Sequence, residues 1–169
     1  MSDRSGLSAV EFALILPVML LLYLGGCELT QALAIKRLVS ITSGTVTNLV
    51  AQYTTISVST QMPDILNASA QVLTPYPSSN ATVVVTCITV DANGVATVAW
   101  SQALNGTGRT VGTIFTLPAS LDTPNTTVIL GETTYAYTPF YDFLNMGSVP
   151  LYSAVYMFPR ASSTINLTS

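Results

Sequence analysis

The most apolar stretch of the chain lies close to its start. Residues 7–24 are apolar except for Ser8 and Glu11. As a helix this stretch spans roughly 27 Å, which matches the hydrocarbon core of a bilayer. The pattern therefore predicts that residues 7–26 form the transmembrane part of an N-terminal helix, preceded by a polar leader, residues 1–6.

The next residues predict that this helix continues beyond the membrane. Apolar positions recur at three- and four-residue spacing with polar residues between them, namely Ile35, Leu38, Val39, Val46, Leu49 and Val50. This spacing is typical of an amphipathic helix packed on a domain, here over residues 27–54. Pro17 removes a backbone donor and Gly25 and Gly26 are weak helix formers, so we expect a kink or local melting at these positions.

Residues 55–169 predict an extracytoplasmic domain that opens with a short helix over residues 61–73. Thr60 stands where a capping residue is expected, and Pro63 lies early in the helix, where proline is tolerated. The segment "TPYPSSN" that follows is rich in turn-forming residues. It predicts a linker to the rest of the domain.

Four segments beyond the linker alternate between apolar and polar residues as strands do. The first two, "ATVVVTCITV" and "VATVAWSQA", flank Asn93-Gly94, a pair that favours a tight hairpin turn. The other two are "NTTVILGETTYAYTPF" and "PLYSAVYMF". The pattern predicts an α+β fold in which the long helix covers an antiparallel sheet of about four strands, with residues 104–125 as an exposed loop.

Composition argues against several classes of function. Charged residues make up 8% of the chain, the net charge is −3, and the five basic residues are scattered, so we expect no nucleic-acid partner. The chain has no histidine, the usual base for an activated serine, and its two cysteines cannot form a tetrahedral zinc site alone. We therefore expect no enzymatic activity, cofactor or metal.

Two sets of side chains in the domain leave alternatives open. The carboxylates are expected to be solvated at turns and strand edges; they are Asp64, Asp91, Asp122, Glu132 and Asp142. The aromatic residues of the last strands are expected to pack in the core or across strands, with a ligand platform as the alternative. They are Tyr135, Tyr137, Phe140, Tyr141, Phe143, Tyr152, Tyr156 and Phe158.

The tetrapeptide "LGGC", residues 24–27, resembles a bacterial lipobox. In that interpretation cleavage leaves a lipidated Cys27, and the apolar run before it is a signal peptide. The alternative is a small buried thiol on a helix that continues through Cys27. A disulfide between Cys27 and Cys87 would require Cα atoms within about 7 Å. We do not expect this bond, because Cys27 lies at the predicted membrane exit and Cys87 lies mid-strand.

The hexapeptide "GLSAVE", residues 6–11, resembles the type IV prepilin motif. The resemblance implies cleavage at Gly6 and Leu7, which makes Leu7 the new amino terminus. A carboxylate at membrane depth is costly, but Glu11 can pair with the terminal ammonium of Leu7 in a neighbouring subunit. Leu7 and Glu11 are therefore the candidate subunit-pairing residues.

The longer stretch "SAVEFALILPVMLLLYLGGCELTQALAIKRL" is similar to the TadE family of Tad (Flp-type) pilus systems. The Glu-Phe pair, Pro17 after the "ALIL" run and Glu28 at the membrane exit carry the resemblance, and Pro159-Arg160 fits it. The resemblance implies a pilin-like fold and a pseudopilin or minor pilin needed for pilus biogenesis and adhesion. Its implied partners are a prepilin peptidase, other Tad pilins and pseudopilins, the inner-membrane assembly platform and the lipid bilayer.

The leading hypothesis is a single-pass protein of the bacterial inner membrane that takes part in assembly of a Tad-type pilus. Its N-terminus is expected in the cytoplasm and its C-terminal domain in the periplasm or outside the cell, within the pilus or beside it. The alternative is a membrane-anchored lipoprotein, lipidated at Cys27, that acts as an extracytoplasmic binding module.

Overall fold

The N-terminal part of the protein is one long α-helix. The computed structural model describes residues 5–140 and 147–169, with side chains from residue 9 onward. Helix α1, Ser5–Val50, is continuous through Pro17 and the two glycines that follow it. The helix is not melted at Gly25 and Gly26 in this structure, and a kink at Pro17, Gly25 or Gly26 stays a prediction.

Some residues named above lie outside the described part. They are the leader residues 1–4 and, in the aromatic and carboxylate sets, Tyr141, Asp142 and Phe143.

The described residues beyond α1 form short helices and two sheets. The elements are β1 (Thr55–Ser57), α2 (Gln61–Ala70), β2 (Ala81–Val90), β3 (Ala96–Leu104), β4 (Thr127–Tyr137), β5 (Val149–Met157) and β6 (Asn166–Thr168). The larger sheet has the order β3-β2-β4-β5, and all its neighbours are antiparallel. The predicted α+β fold with a long helix and a four-stranded antiparallel sheet is therefore confirmed.

The turn between β2 and β3 forms where Asn93-Gly94 predicts it. Gly94 has a φ of 80°, which a glycine adopts without steric cost. The Asp91 carboxylate accepts hydrogen bonds from the backbone N–H groups of Asn93 and Val95, each 2.8 Å long. These hydrogen bonds stabilise the ionised carboxylate and so lower the pKa of Asp91, and the bond from Val95 has the largest effect. The turn is thus fixed by its own backbone and one side chain.

Helix α2 buries one face and exposes the other. Its buried residues recur at three- and four-residue spacing and are Met62, Ile65, Leu66, Ser69 and Ala70. Thr60 is the N-cap residue, but its side chain makes no capping hydrogen bond. The prediction of side-chain capping is wrong; the Thr60 carbonyl accepts only the ordinary first backbone bond of the helix, from Asp64 at 3.4 Å.

Helix α1 packs on the sheet through an unusually polar contact. Thr42, Ser43 and Thr47 are completely buried, and each hydroxyl donates to the carbonyl four residues earlier in the helix. The Ser43 hydroxyl also lies 3.1 Å from the carbonyl of Ser153 in β5. Because these hydroxyls are bonded, their burial does not carry the full desolvation cost of an unpaired polar group.

Apolar clusters lie on both faces of the sheet. On the α1 side, one cluster centres on Val46, Val50, Trp100 and Ile165, and a second joins Ile35 and Val39 to Tyr135 and Tyr137.

A third cluster includes Ile88, Val128, Leu130 and Leu117. Leu117 belongs to the connection between β3 and β4, so the prediction that this connection is simply exposed is wrong at that position. The connection folds back and shields part of the sheet.

Candidate assembly surface on the N-terminal helix

Within the part of the chain that the structure describes, no residue of the domain buries the lower part of α1, residues 9–23. Its large apolar side chains are exposed from Val10 to Tyr23, and Leu14 and Leu22 reach 72% and 73% exposure. The helix is long and apolar enough to cross a membrane, and its apolar stretch is not buried inside the protein. An exposed apolar surface of this extent requires lipid or other helices around it.

Glu11 lies within this exposed surface. Its neighbours Val10 and Phe12 are 58% and 60% exposed, and Glu11 itself is exposed. The backbone of Gly6 and Leu7 belongs to the same helix, and Leu7 precedes Glu11 by roughly 6 Å along the axis. Cleavage at Gly6 and Leu7, and pairing of Leu7 with Glu11, both stay predictions.

The attachment of α1 to the domain begins near the predicted membrane exit. The Tyr137 hydroxyl, at the end of β4, donates a hydrogen bond to the Glu28 carboxylate. Burial, together with this bond and the negative charge of Glu28, raises the pKa of Tyr137 to about 12. The tyrosine therefore keeps its proton and remains a donor to Glu28 at physiological pH.

Further contacts fix the upper half of α1 along β5. The Lys36 ammonium donates to the carbonyl of Tyr152, and the Ser43 hydroxyl reaches the next carbonyl, that of Ser153. At the end of the helix, the backbone N–H of Arg160 donates to the Ala51 carbonyl at 2.8 Å. The helix is thus held from Glu28 to its C-terminus, and the part below Glu28 projects from the domain.

The projecting part of α1 lies within a segment that matches a known family. Residues 6–41 match the family model described as TadE-like protein. The match confirms the resemblance inferred from Glu11, Pro17 and Glu28, and it ends before the sheet begins. Searches of curated proteins and of solved structures each found no match.

A groove lies beside the TadE-like segment (residues 6–41), just above the most exposed apolar residues. It has a volume of about 710 Å³ and is bounded by Tyr23, Gly26, Cys27 and Thr30 on α1 and by Tyr76 from the domain. Cys27 is an exposed free thiol within the continuous helix, so the expectation that this thiol is buried is wrong, and its lipidation stays an untested alternative. Cys87 is buried and also free, which agrees with the absence of a disulfide between the two.

Outside the TadE-like segment, the prediction for Glu132 is wrong. Glu132 is not a solvated edge carboxylate but lies in β4, a central strand, with its side chain 12% exposed. Both of its oxygens accept hydrogen bonds from Arg109, at 2.8–3.1 Å. Arg109 belongs to the connection that folds back over the sheet, a long-range contact that no local sequence pattern reports.

Some of the described aromatic residues are packed in the core and others are exposed. Tyr135 and Tyr137 are buried against α1, as core packing predicts. Tyr152 and Phe158 are about half exposed and Phe140 is 82% exposed, so core packing is wrong for these three. Tyr152 is exposed because it lies on the face of the sheet that α1 does not cover.

Proposed function

We propose that this protein is a TadE-like pseudopilin or minor pilin that is needed for assembly of a Tad (Flp-type) pilus. The observation that carries the proposal is that the exposed apolar part of α1 lies within the segment that matches the family. TadE-like proteins are structural rather than enzymatic, and the segment matched here is a helix surface rather than a cleft.

The exposed helix supports an assembly role because it cannot be stable in water. Side chains such as Leu14, Leu20 and Leu22 point away from the domain and gain stability only when lipid or another helix covers them. Before assembly, the bilayer supplies that cover. Within a pilus, or in a complex at its base, the helices of neighbouring subunits would replace the lipid.

Glu11 gives this packing a preferred register. Prepilin peptidase would cleave between Gly6 and Leu7 on the cytoplasmic side, creating a terminal ammonium at membrane depth. That ammonium and the Glu11 carboxylate of a neighbour would neutralise each other, so that two costly buried charges become one pair. Because the cleavage would occur on the cytoplasmic side, the N-terminus would lie in the cytoplasm and the domain outside it. Because the pairing requires neighbouring subunits, the partners would include other Tad pilins and the membrane platform.

The first experiment tests processing. In cells that make the full Tad system, Gly6→Leu should leave full-length protein in the membrane, because a bulky residue occupies the cleavage junction. Gly25→Leu is the matched control, since the structure places nothing within 4 Å of a Cβ at Gly25 and the same helix carries the change. Mass spectrometry of the N-terminal peptide reports the outcome.

A mature chain that begins at Leu7 in the Gly6→Leu variant would contradict the cleavage site. In the wild type, loss of residues 1–6 supports the pilin hypothesis. Loss of the chain through Gly26 with a lipid on Cys27 would establish the lipoprotein alternative instead.

The second experiment tests the charge pair. Glu11→Ala should leave insertion and cleavage intact but prevent incorporation, because the neighbour's ammonium then stays buried without a partner, at a cost of about 3–5 kcal/mol. Glu11→Asp should be intermediate, since the charge remains on a shorter side chain. Asp64→Ala, which removes an exposed carboxylate from the domain, is the control and should assemble normally.

Assembly is measured by co-purification with pilus components, and cleavage is measured in the same cells. If the Glu11→Ala variant were cleaved and incorporated as efficiently as the wild type, the pairing of Glu11 with Leu7 would be wrong.

A further inference from the structure

A pocket opens on the face of the sheet opposite α1. A Cβ atom at Gly131 would face α1. Because side chains alternate along a strand, the side chain of its neighbour Glu132 in β4 points to the other face. There, a pocket of about 240 Å³ is lined by the side chains of Glu132 and Tyr152 from adjacent strands, by Arg109, and by threonines from β2, β4 and the connection after β3. The TadE-like segment does not contribute to this pocket.

The centre of the pocket is the charge pair of Arg109 and Glu132, whose side chains are 40% and 12% exposed. Arg109 donates through Nε to one Glu132 oxygen at 3.1 Å and through Nη2 to both oxygens at 2.8 Å. Its guanidinium also lies 5.0 Å from the centre of the Phe115 ring, which holds the planar group from one side. The paired groups carry opposite charges, so the pocket has no net charge to attract an anion or a cation.

Tyr152 adds a flat apolar surface beside the pair. Its hydroxyl donates to the Glu132 carboxylate at 2.7 Å, and burial, with that bond, raises the pKa of Tyr152 to about 12. The hydroxyl is thus a protonated donor at physiological pH. Tyr152 as a whole is nevertheless 48% exposed, which leaves part of its ring open to a ligand.

The pocket retains hydrogen-bonding capacity after these contacts are counted. Within residues 5–140 and 147–169, Arg109 Nη1 and the hydroxyls of Thr134 and Thr107 have no hydrogen bond to another protein group. A charge pair that served only to hold the connection against the sheet would not require an open pocket with free donors beside an exposed ring. The arrangement offers several donors and acceptors within a space the size of one small ring.

We propose that this pocket binds one neutral sugar ring of a glycan. Adjacent hydroxyl groups of a sugar can both donate to a carboxylate and accept from a guanidinium, and its C–H face can stack on the Tyr152 ring. The pocket is smaller than the roughly 300 Å³ at which pockets for drug-sized ligands begin, which limits the ligand to a single ring. An anionic ligand would have to compete with Glu132 for the guanidinium and is disfavoured.

The test measures binding directly and does not depend on pilus assembly. The full chain is purified in a zwitterionic detergent, because alkyl glucosides and maltosides would themselves present sugars. Saturation-transfer NMR is then recorded with the methyl glycosides of glucose, galactose, mannose and N-acetylglucosamine. Acetate and inorganic phosphate are included as anionic probes, and the free monosaccharides as reducing sugars.

Two variants connect the signal to the pocket. Thr134→Val keeps the side-chain shape but removes a hydroxyl, and Tyr152→Ala removes the stacking surface; each should weaken glycoside binding at least tenfold. Thr89→Val is the matched control, because Thr89 is a threonine of the same sheet outside the pocket. It should bind as the wild type does. Circular dichroism shows whether each variant is folded. If Thr134→Val does not fold, Thr107→Val, which removes another hydroxyl of the pocket, takes its place.

Saturable binding of at least one methyl glycoside, lost in Thr134→Val and kept in Thr89→Val, would establish the site. The proposal is overturned if no methyl glycoside binds the wild type at millimolar concentration. It is overturned equally if only anions or only reducing sugars bind, or if Thr134→Val binds as tightly as the wild type.

Discussion

At the scale of single residues, Gly131 determines how closely the helix approaches the sheet. A Cβ atom at this position would lie 2.1 Å from Thr47 Oγ1 and 2.8 Å from the Ser43 carbonyl oxygen. Both distances are below van der Waals contact, and the second involves backbone that cannot rotate away. A glycine in the middle of a strand normally weakens that strand. Here the missing side chain lets α1 approach β4 closely.

Gly131→Ala should therefore destabilise the domain. Overpacking of this kind costs about 1–3 kcal/mol, because α1 must move away from β4 or the strand must distort. Gly44→Ala is the control within the same interface region: a Cβ at Gly44 meets nothing within 4 Å, and alanine is a better helix former by about 1 kcal/mol. Chemical unfolding in detergent measures both. An unchanged unfolding midpoint for Gly131→Ala would show that the contact relaxes without cost.

At the scale of elements, α1 is one helix with two environments. From Ile35 to Val50 it buries a face against the sheet, whereas from Val10 to Leu22 it is exposed throughout. The hydrogen bond from Tyr137 to Glu28 lies near the boundary between these parts. It joins the last turn of the projecting helix to the end of β4 and so links the projecting part of α1 to the sheet.

Tyr137 makes the free energy of unfolding depend on pH in the alkaline range. Below pH 10, its ordinary pKa, the tyrosine is protonated in both folded and unfolded protein and the Glu28 bond contributes fully. Between pH 10 and about 12, the unfolded state loses the proton while the folded state keeps it, so the free energy of unfolding falls as pH rises. Tyr137→Phe should cost about 1 kcal/mol at neutral pH through the lost hydrogen bond, yet reduce the further loss at alkaline pH.

The measurement is the free energy of unfolding at neutral pH and near pH 11, for wild type and variant. Glu28→Gln offers a second variant, because it keeps an acceptor but removes the negative charge that helps to raise the tyrosine pKa. Tyr152→Phe should reduce the alkaline loss independently, since Tyr152 lies on the opposite face of the sheet. A Tyr137→Phe protein with the same alkaline loss as the wild type would contradict this account.

At the scale of the whole molecule, the end of the chain closes the fold. Strand β6 pairs in parallel with β1, the short strand after α1, with Thr55 opposite Asn166 and Ser57 opposite Thr168. Just before β6, Ile165 is buried and its carbonyl accepts a 2.7 Å hydrogen bond from the indole N–H of Trp100. The last residues thereby connect the end of α1 to the core of the sheet.

Removing residues 165–169 should therefore destabilise the whole domain. Burial of an isoleucine side chain is worth about 1.5–3 kcal/mol, and leaving the Trp100 donor unpaired costs about 1–3 kcal/mol. Trp100 is the single tryptophan of the chain, so its fluorescence reports directly on this part of the core. Truncation should shift its emission to longer wavelength and lower the unfolding midpoint.

Deletion of Ser169 alone is the control, because it leaves every residue of β6 in place. Equal unfolding midpoints for the two truncated proteins would show that β6 and Ile165 are dispensable for stability.

The sequence by itself determined the features that repeat over short distances. The apolar run of α1, the alternation of β2 to β5 and the Asn93-Gly94 turn are local patterns, and the prepilin-like spacing of Gly6 and Glu11 is local as well. Each is set by backbone geometry or by one helical face, so neighbouring residues suffice to predict it. For the same reason, the candidate assembly surface could be located without a structure.

The tertiary structure alone decided the contacts between distant residues. The pairing of Arg109 with Glu132, the parallel pairing of β1 with β6 and the approach of Thr47 to Gly131 each join positions with no shared periodicity. A carboxylate in an alternating strand reads as solvated until the segment that covers it is known. Burial and charge pairing depend on which segments meet in space, and the order of residues along the chain does not specify that locally.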